Sequence, residues 1–557
     1  MSAVGSAILL AINTSAPISE GSDFICANLD WWPASKCDYG RCPWGRDSLL
    51  NLNLETVRPA LSALSMPTRA QHRFTLRLGG SMADYIQYNT SAVAAAKCIP
   101  WTVTHDTRLG YELYSWSSHS VVGPCLQVER LVELLRLCDD VGCRIAFGVN
   151  AMDGRRLVAQ CPAGTDCWKG KPTASCCTQW EGAWDPAPTG ALLRALKRAG
   201  VMPWALEFGN ELVGSPGIEA HLNVTQYYSD FLAFATLVRS VWPAPADAAA
   251  TAATAALGTP LLVTPDTSWS EQWYEHFMDL GPPADVVTRH EYTLGAGVDP
   301  ASEARSFDPT HLDALRSVAS NAGNAFVAAR PKLARALPAA HVALGYPQLW
   351  VGEAGGCYNS GRPNVTDAFG SAFWWLDNMA IEAAHHHAQY CRQTLAGGSY
   401  SLLATKDGRV TAANPDYFAA RLWRKLMGKR VLSVTLQSAP KTLRAYAHCS
   451  DSAGSGGVTV LVLNLDTARH AAAATVQVSL TGDRYEYHMM AETTATRSMS
   501  ALEKRRSRRV ALNGAALTHV GAPLDQSRTV RSGTPLVVEP VSYAFVVFPG
   551  ANAAACR

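Results

Sequence analysis

Two glutamates each stand at the end of a short apolar run. Glu211 closes Trp204-Ala205-Leu206-Glu207-Phe208-Gly209-Asn210-Glu211, and Glu353 lies in Gln348-Leu349-Trp350-Val351-Gly352-Glu353-Ala354-Gly355-Gly356. Each run reads as a buried strand that delivers a carboxylate to an open, glycine-rich exit. In a parallel barrel such C-terminal strand ends face one common site. Two carboxyl groups aimed at one cleft, one protonated and one ionised about 5.5 Å away, are what retaining glycoside hydrolysis requires. Glu211 fits the acid and Glu353 the nucleophile. Asn210 can bond a sugar 2-hydroxyl, a contact that tightens in the transition state. The plainer reading of an Asn-Glu pair is a helix N-cap. The plainer reading of Glu353 is a solvated turn, which Trp350 and the apolar run oppose.

Three more residue types end predicted strands nearby. His290 or Tyr292 beside the nucleophile can hydrogen-bond it and keep it ionised; a satisfied core histidine is the alternative. Arg77, in Leu76-Arg77-Leu78-Gly79-Gly80-Ser81, can pair with a catalytic carboxylate or form a structural salt bridge. His385, His386 and His387 point about 100° apart on a helix and cannot converge on one ion. They are expected to form a solvated helix face, and no metal or cofactor is called for. The run Lys504-Arg505-Arg506-Ser507-Arg508-Arg509 is expected to be a solvated hairpin, with acidic-polysaccharide binding as the sharper option.

The elements that must position these side chains come in two styles. Apolar runs at 24–28, 74–78, 145–150, 205–210, 261–264, 286–290, 349–352 and 400–403 alternate with helix-like stretches such as 126–141 and 189–199. Strand then helix, eight times, predicts an α/β fold, a (β/α)8 TIM barrel over 21–427. After about residue 428 the pattern becomes short strands split by Gly, Asp and Ser turns: a C-terminal β-sandwich over 428–557. Residues 1–20 hold a strand near 8–13 that can join that sandwich. An Ala/Thr-rich stretch at 244–256 reads as a loose surface insertion.

Composition narrows the class. The chain has 557 residues, 48% hydrophobic and 17% charged, with a net charge of +2. That balance carries no nucleic-acid signature, and no run approaches the ~18 apolar residues of a spanning helix. Fifteen cysteines, including Cys37 with Cys42 and the crowd Cys161, Cys167, Cys176 and Cys177, lack zinc-site spacing and favour disulfides. The odd count leaves at least one thiol free or paired between molecules. Sequons at Asn13, Asn89, Asn223 and Asn364 join the cysteines in pointing to a secretory route, extracellular or lysosome-like. Residues 7–12 read as a strand or as a short signal-peptide core with no positive residue before it.

The chain resembles the heparanase-like enzymes of glycoside hydrolase family 79, especially the plant-type members. The resemblance runs through Phe24-Ile25-Cys26-Ala27-Asn28-Leu29-Asp30-Trp31-Trp32-Pro33, Cys37-Asp38-Tyr39-Gly40, Leu49-Leu50-Asn51-Leu52 and Phe147-Gly148-Val149-Asn150-Ala151. It continues at Gly182-Ala183-Trp184-Asp185, at both glutamate motifs, at Tyr390-Cys391-Arg392-Gln393-Thr394 and at Pro540-Val541-Ser542-Tyr543-Ala544-Phe545. It implies a barrel with an appended sandwich and retaining hydrolysis of β-linked glucuronic acid in a polysaccharide or proteoglycan. It implies Glu211 as acid/base and Glu353 as nucleophile. It implies Asn359, Ser360 and Tyr400 around the sugar carboxylate, and Ser81 and Asn210 as further sugar contacts. An endo-acting heparan sulfate hydrolase and a non-catalytic acidic-polysaccharide-binding protein are the rivals.

Three departures carry their own expectations. Only about 40 residues separate Asp84 from Cys125, so a single uncut, monomeric chain is expected. Glu291 stands where plant-type relatives usually carry an apolar residue, and is expected near the cleft. The cysteine-rich insertion 158–180 follows the third predicted strand and is expected to wall part of the cleft.

Overall fold

A computed structural model describes residues 8–557 apart from 22, 33–35, 45–46, 48–50, 67–72, 91–102, 107–110, 115–124, 160–177, 214–217, 219, 244–257 and 493–498. The crowded cysteines of the insertion and the 244–256 stretch lie outside the described residues.

Eight parallel strands close on themselves in chain order: β1 (Ile25–Asp30), β2 (Phe74–Gly79), β3 (Cys143–Val149), β4 (Ala205–Phe208), β5 (Leu261–Ser268), β6 (Val286–Glu291), β7 (Gln348–Ala354) and β8 (His387–Arg392). A helix follows each in turn: α1 (Leu54–Ser65), α2 (Val128–Val141), α3 (Ala187–Arg198), α4 (Val224–Val241), α5 (Glu271–Asp279), α6 (Pro309–Arg335), α7 (Phe369–Ala384) and α8 (Pro415–Leu426). Their starts follow local chemistry. Asn53, Asn223 and Asp308 each accept a first-turn backbone N–H with the side chain, and Pro309 and Pro415 sit at the first helical position. At the barrel's N-terminal end Trp350 stacks on Trp204, ring centroids 5.4 Å apart, over Ala146, Ala205 and Val286.

The eighth strand corrects the sequence reading. Residues 400–403 do not enter the barrel; Leu403–Lys406 pairs with Arg409–Ala413 in a separate two-stranded ribbon. The true eighth strand, His-Ala-Gln-Tyr-Cys-Arg, is polar on its face yet buried throughout. Each of its polar side chains has at least one partner. Gln389 donates to Thr75 Oγ1 at 2.6 Å. Arg392 pairs with Asp416 at 2.9 Å, and Cys391 is disulfide-bonded to Cys26 of β1. The expected solvated helix face of histidines is overturned for His387, while His385 and His386 lie in the turn after α7, half-buried and exposed. α7 ends at Ala384, and His387 lies inside β8, pairing with Glu382 at 2.9 Å and facing Arg289 Nε at 3.0 Å.

The C-terminal strands form two packed sheets. The larger runs Met427–Leu432, Leu443–Ser450, Val458–Asn464, Ser542–Phe548, Arg484–Ala491 and Val510–Leu512 as hydrogen-bonded neighbours. In the smaller, Ile8–Ile12 pairs antiparallel with Val434–Gln437 and parallel with Ala474–Val478. Val458, Val460 and Val462 point into the core between the sheets with Leu10, Val476 and Leu536. Leu461 and Leu463, one residue out of phase, point into the barrel-side core with Trp423, Phe369 and Tyr543. Burial on both faces explains why this strand reads as an unbroken apolar run.

The basic run is neither hairpin nor open patch. Ala501–Arg506 is a short helix with a Ser500–Glu503 capping box. Arg506 pairs with Glu303 at 2.7 Å and Arg509 with Glu492 at 2.6 Å, while Arg508 pairs with Asp367. Glu303 and Asp367 belong to the βα connections after β6 and β7, so Arg506 and Arg508 tie the C-terminal sheets to the barrel.

Candidate active site

The C-terminal ends of β2, β4, β5, β6 and β7 carry one connected polar cluster. Arg77 of β2 is its hub. Its guanidinium donates from Nε to Glu207 at 2.7 Å, from Nη1 to Glu353 at 2.9 Å and from Nη2 to Asn210 at 2.8 Å, and it also reaches Asp266. Its planar fork suits such multiple recognition. His290 of β6 sits between two carboxyl groups, Nδ1 to Glu211 at 2.8 Å and Nε2 to Asp266 at 2.6 Å. Tyr292 donates to Glu353 Oε1 at 2.5 Å. Thr288 donates to Asp266 at 3.0 Å.

Local backbone features explain how the pieces meet. The β6–β7 pairing shifts register between Arg289 and His290, which sets His290 opposite Glu353. Gly352 leaves room for Asp266, whose oxygen would lie 2.6 Å from a Cβ there. Glu211 adopts φ +56 just after Gly209 at φ +72. A non-glycine residue there is strained by roughly 1–2 kcal/mol, and strain of this kind gathers at functional sites. Two hydrogen bonds hold the turn: Asn210 N–H to Asp84 at 2.7 Å, and Glu211 N–H to the Asp266 carbonyl at 2.6 Å.

One oxygen of Glu211, one of Glu353 and a ring nitrogen of His290 all lie within 4.8 Å of one another. Carboxyl groups about 5–5.5 Å apart are the spacing of retaining glycosidases. The same three groups could grip a cation, but it would compete with the Arg77 contact to Glu353 and the carboxylate contacts of His290.

Charge balance sets the two glutamates apart. Five buried carboxyl groups (Asp30, Glu207, Glu211, Asp266 and Glu353) gather around the single guanidinium of Arg77 and one imidazole, so they do not all ionise. Burial raises Glu211 above its ordinary 4.5; the Glu353 charge adds to this, and His290 offsets only part. Burial also opposes ionisation of Glu353, but the charges of His290 and Arg77 and the hydrogen bonds from Tyr292 and Arg77 outweigh it and hold Glu353 below 4.5. Asp30 is pushed up to about 8 by burial and by Glu353.

The structure therefore brings Arg77, Asn210, Glu211, His290, Tyr292 and Glu353 into one cluster. Tyr400 is buried at its edge, its hydroxyl 3.4 Å from Gln393 Nε2. Asn359 and Ser360 lie on the connection after β7, and Ser81 opens the turn Ser81–Tyr85 after β2; none of the three is hydrogen-bonded to the carboxylate cluster. Glu291 does not face the cleft. It points the other way from His290, toward α7, where Arg289 holds it at 2.9 Å and Asn378 donates to it. The described feet of the insertion, Arg156–Ala159 and Thr178–Glu181, pair antiparallel beyond β3.

Sequence reasoning missed Asp30, Asp84, Glu207, Asp266 and Gln393. Asp266 carried a signal, an acid at a strand end, hidden because the apolar run covers only 261–264 while the strand extends to Ser268. Gln393 carried none. Asp30 Oδ1, Asn210 Nδ2 and Gln393 Oε1 are buried without a hydrogen-bond partner among the described residues. Such atoms cost about 1–3 kcal/mol each when left unpaired, and a polar ligand would satisfy them.

Residues 7–380 match the family described as Glycosyl hydrolase family 79, N-terminal domain. The chain belongs to this family. Family 79 membership makes it a glycosidase. It is 31% identical to heparanase-like protein 1 of Arabidopsis thaliana, over 96% of this chain and 92% of the relative. It is 30% identical to the baicalin-beta-D-glucuronidase of Scutellaria baicalensis, over 96% and 91% of the two chains. Among solved structures, a 4-O-alpha-L-rhamnosyl-beta-D-glucuronidase from Fusarium oxysporum shares the fold with a TM-score of 0.57 at 13% identity, covering 97% of this chain and all of the other. The family 79 chain has no helix, among its described residues, long and apolar enough to cross a membrane.

Proposed function

We propose that this family 79 enzyme hydrolyses β-linked glucuronides with retention, using Glu211 as acid/base and Glu353 as nucleophile. The observation that carries the assignment is geometric: two carboxyl groups within 4.8 Å at strand ends, Glu353 accepting from Arg77 and Tyr292 and Glu211 facing only His290 among the described residues. In the first step the Glu353 carboxylate attacks the anomeric carbon from below. Glu211 gives its proton to the glycosidic oxygen, and the aglycone leaves as an alcohol. In the second step Glu211, now ionised, takes a proton from water while the water oxygen displaces Glu353 at the same carbon. Two inversions restore the β configuration. Asn210 and Asp30 are positioned for sugar hydroxyls, and the segment 359–360 with Tyr400 for the carboxylate. The glucuronide preference draws on the relatives' names. Hydrolysis of 4-nitrophenyl β-glucuronide beside the β-glucoside tests it: the glucuronide is cleaved, and preferential cleavage of the glucoside refutes the reading.

The pH dependence follows from the two shifts. Activity needs Glu353 ionised, so the acidic limb of kcat/KM lies below 4.5; it needs Glu211 protonated, so the alkaline limb lies above 4.5. Glu211→Gln removes the alkaline limb on an aryl glucuronide, whose leaving group needs little protonation. A retained alkaline limb in that variant would assign the acid elsewhere.

The same reading places the catalytic unit at 21–427 and the sandwich at 428–557 plus the N-terminal strand, in a secreted monomeric glycoprotein. Disulfides 26–391, 37–42, 138–143 and 449–556 support an oxidising compartment. The sequon residues Asn13, Asn223 and Asn364 are exposed and Asn89 is half-buried.

A further inference from the structure

The loop after β1 grips the connection after β7. Cys37 and Cys42 are bonded, and between them Asp38 and Arg41 exchange both backbone hydrogen bonds, at 2.7 and 3.0 Å. The two residues enclosed, Tyr39 and Gly40, have φ of +54 and +76, the tight hairpin turn whose twist needs positive φ twice. The side chains at this tip reach 359–360. The Asp38 carboxylate accepts from Ser360 Oγ, and the Tyr39 hydroxyl accepts from Asn359 Nδ2 at 2.9 Å. Trp44 Nε1 donates to the same Ser360 Oγ at 2.8 Å. Lys36 holds the other Asp38 oxygen at 2.8 Å.

These contacts explain an awkward backbone. Asn359, Ser360 and Gly361 have φ of +57, +65 and +75 in succession, and two of the three pay the steric penalty of a Cβ there. Turns of successive unusual φ can aim neighbouring N–H groups at an anion. The Ser360 hydroxyl donates to Asp38 and accepts from Trp44, so it serves as an anchor rather than as a free ligand for sugar. Ser399 N–H closes the other side on the Ser360 carbonyl at 2.6 Å, beside Tyr400.

We propose that Asp38 is a positioning residue for recognition of the sugar carboxylate: with Tyr39 it holds 359–361 in the left-handed turn whose backbone N–H groups take that anion. The inference rests on the glucuronide reading and goes beyond it, because Asp38 itself does not touch the sugar. Selectivity for the anion thereby depends on a disulfide-closed hairpin more than 300 residues away in sequence.

The test compares wild type with Asp38→Ala and with the milder Tyr39→Phe. Three quantities are read: KM and kcat on 4-nitrophenyl β-glucuronide, the inhibition constant of D-glucuronate, and that of neutral D-glucose. For Asp38→Ala, KM and the glucuronate constant rise about tenfold, the weight of one charge-assisted contact to the anion. The kcat stays within about threefold and the glucose constant is unmoved. Tyr39→Phe shifts the same two quantities in the same direction by less. A parallel loss of kcat with the weakening of glucose, or unchanged KM in both variants, overturns the proposal. Should Asp38→Ala fail to fold, Tyr39→Phe decides alone by the same criteria. A wild-type enzyme that ignores glucuronides would instead refute the underlying reading before any variant is made.

Discussion

Glu353→Gln leaves no more than about one part in 10⁴ of wild-type kcat on an aryl glucuronide, a loss of at least about 5 kcal/mol in transition-state stabilisation. The amide keeps the size of the side chain; its one oxygen can accept from Arg77 while its NH2 group donates to the Tyr292 hydroxyl in place of accepting from it, so substrate binding and folding survive. What disappears is the anion that forms the bond to the anomeric carbon. Glu353→Ala sharpens the measurement. Azide fits the space left by the carboxylate and attacks from the same face, while Glu211 still protonates the departing oxygen. The expected product is the α-glucuronyl azide, identified by its anomeric coupling in NMR. Recovery of the β-azide would mean that the nucleophile had remained in place and that Glu353 has another role.

Arg77→Met unfolds at much lower denaturant than wild type, by about 3–5 kcal/mol, because removing one partner of a buried ion cluster strands the others. Glu207, Asp266 and Glu353 all lean on this guanidinium, and all are buried. The sign of the accompanying pH effect follows from the same charge. Arg77 favours ionised Glu353, so its loss raises the Glu353 pKa and moves the acidic limb of kcat/KM to higher pH. Arg77→Lys keeps the charge but not the fork that serves four acceptors, and falls between the two in stability. Urea unfolding and a pH–rate profile of the same preparations separate the outcomes. Wild-type stability in Arg77→Met would show that the cluster relaxes or takes up protons at little cost.

Much of this site was legible in sequence because strand ends announce themselves. Glu211, Glu353, His290 and Arg77 each close an apolar run, and one rule about barrels then aims all four at one place. Failures fell where polarity hid burial. β8 contains His387, Gln389 and Arg392, and periodicity cannot report that Glu382, Thr75 and Asp416 wait to receive them. Asp266 was missed because the apolar run stops at Thr264, although β5 continues to Ser268 with a register shift against β6. The arginines at 505–509 looked like a free basic surface because their acids lie some 15 to 200 residues away.

By itself the sequence determined the alternating strand–helix frame, the change to a β-sandwich near residue 428, and the identity of the two carboxyl groups that could do the chemistry. These are local matters: apolar period, turn residues and a charge placed at the end of a run. Only the tertiary structure decided which glutamate is pushed toward its neutral form and which toward its ionised form. That choice depends on Arg77 and Tyr292 reaching Glu353 while His290 stands between Glu211 and Asp266, contacts from five strands that no spacing encodes. It also decided that Glu291 faces α7 instead of the cleft, since the pleat of β6 sends neighbours His290 and Glu291 to opposite sides.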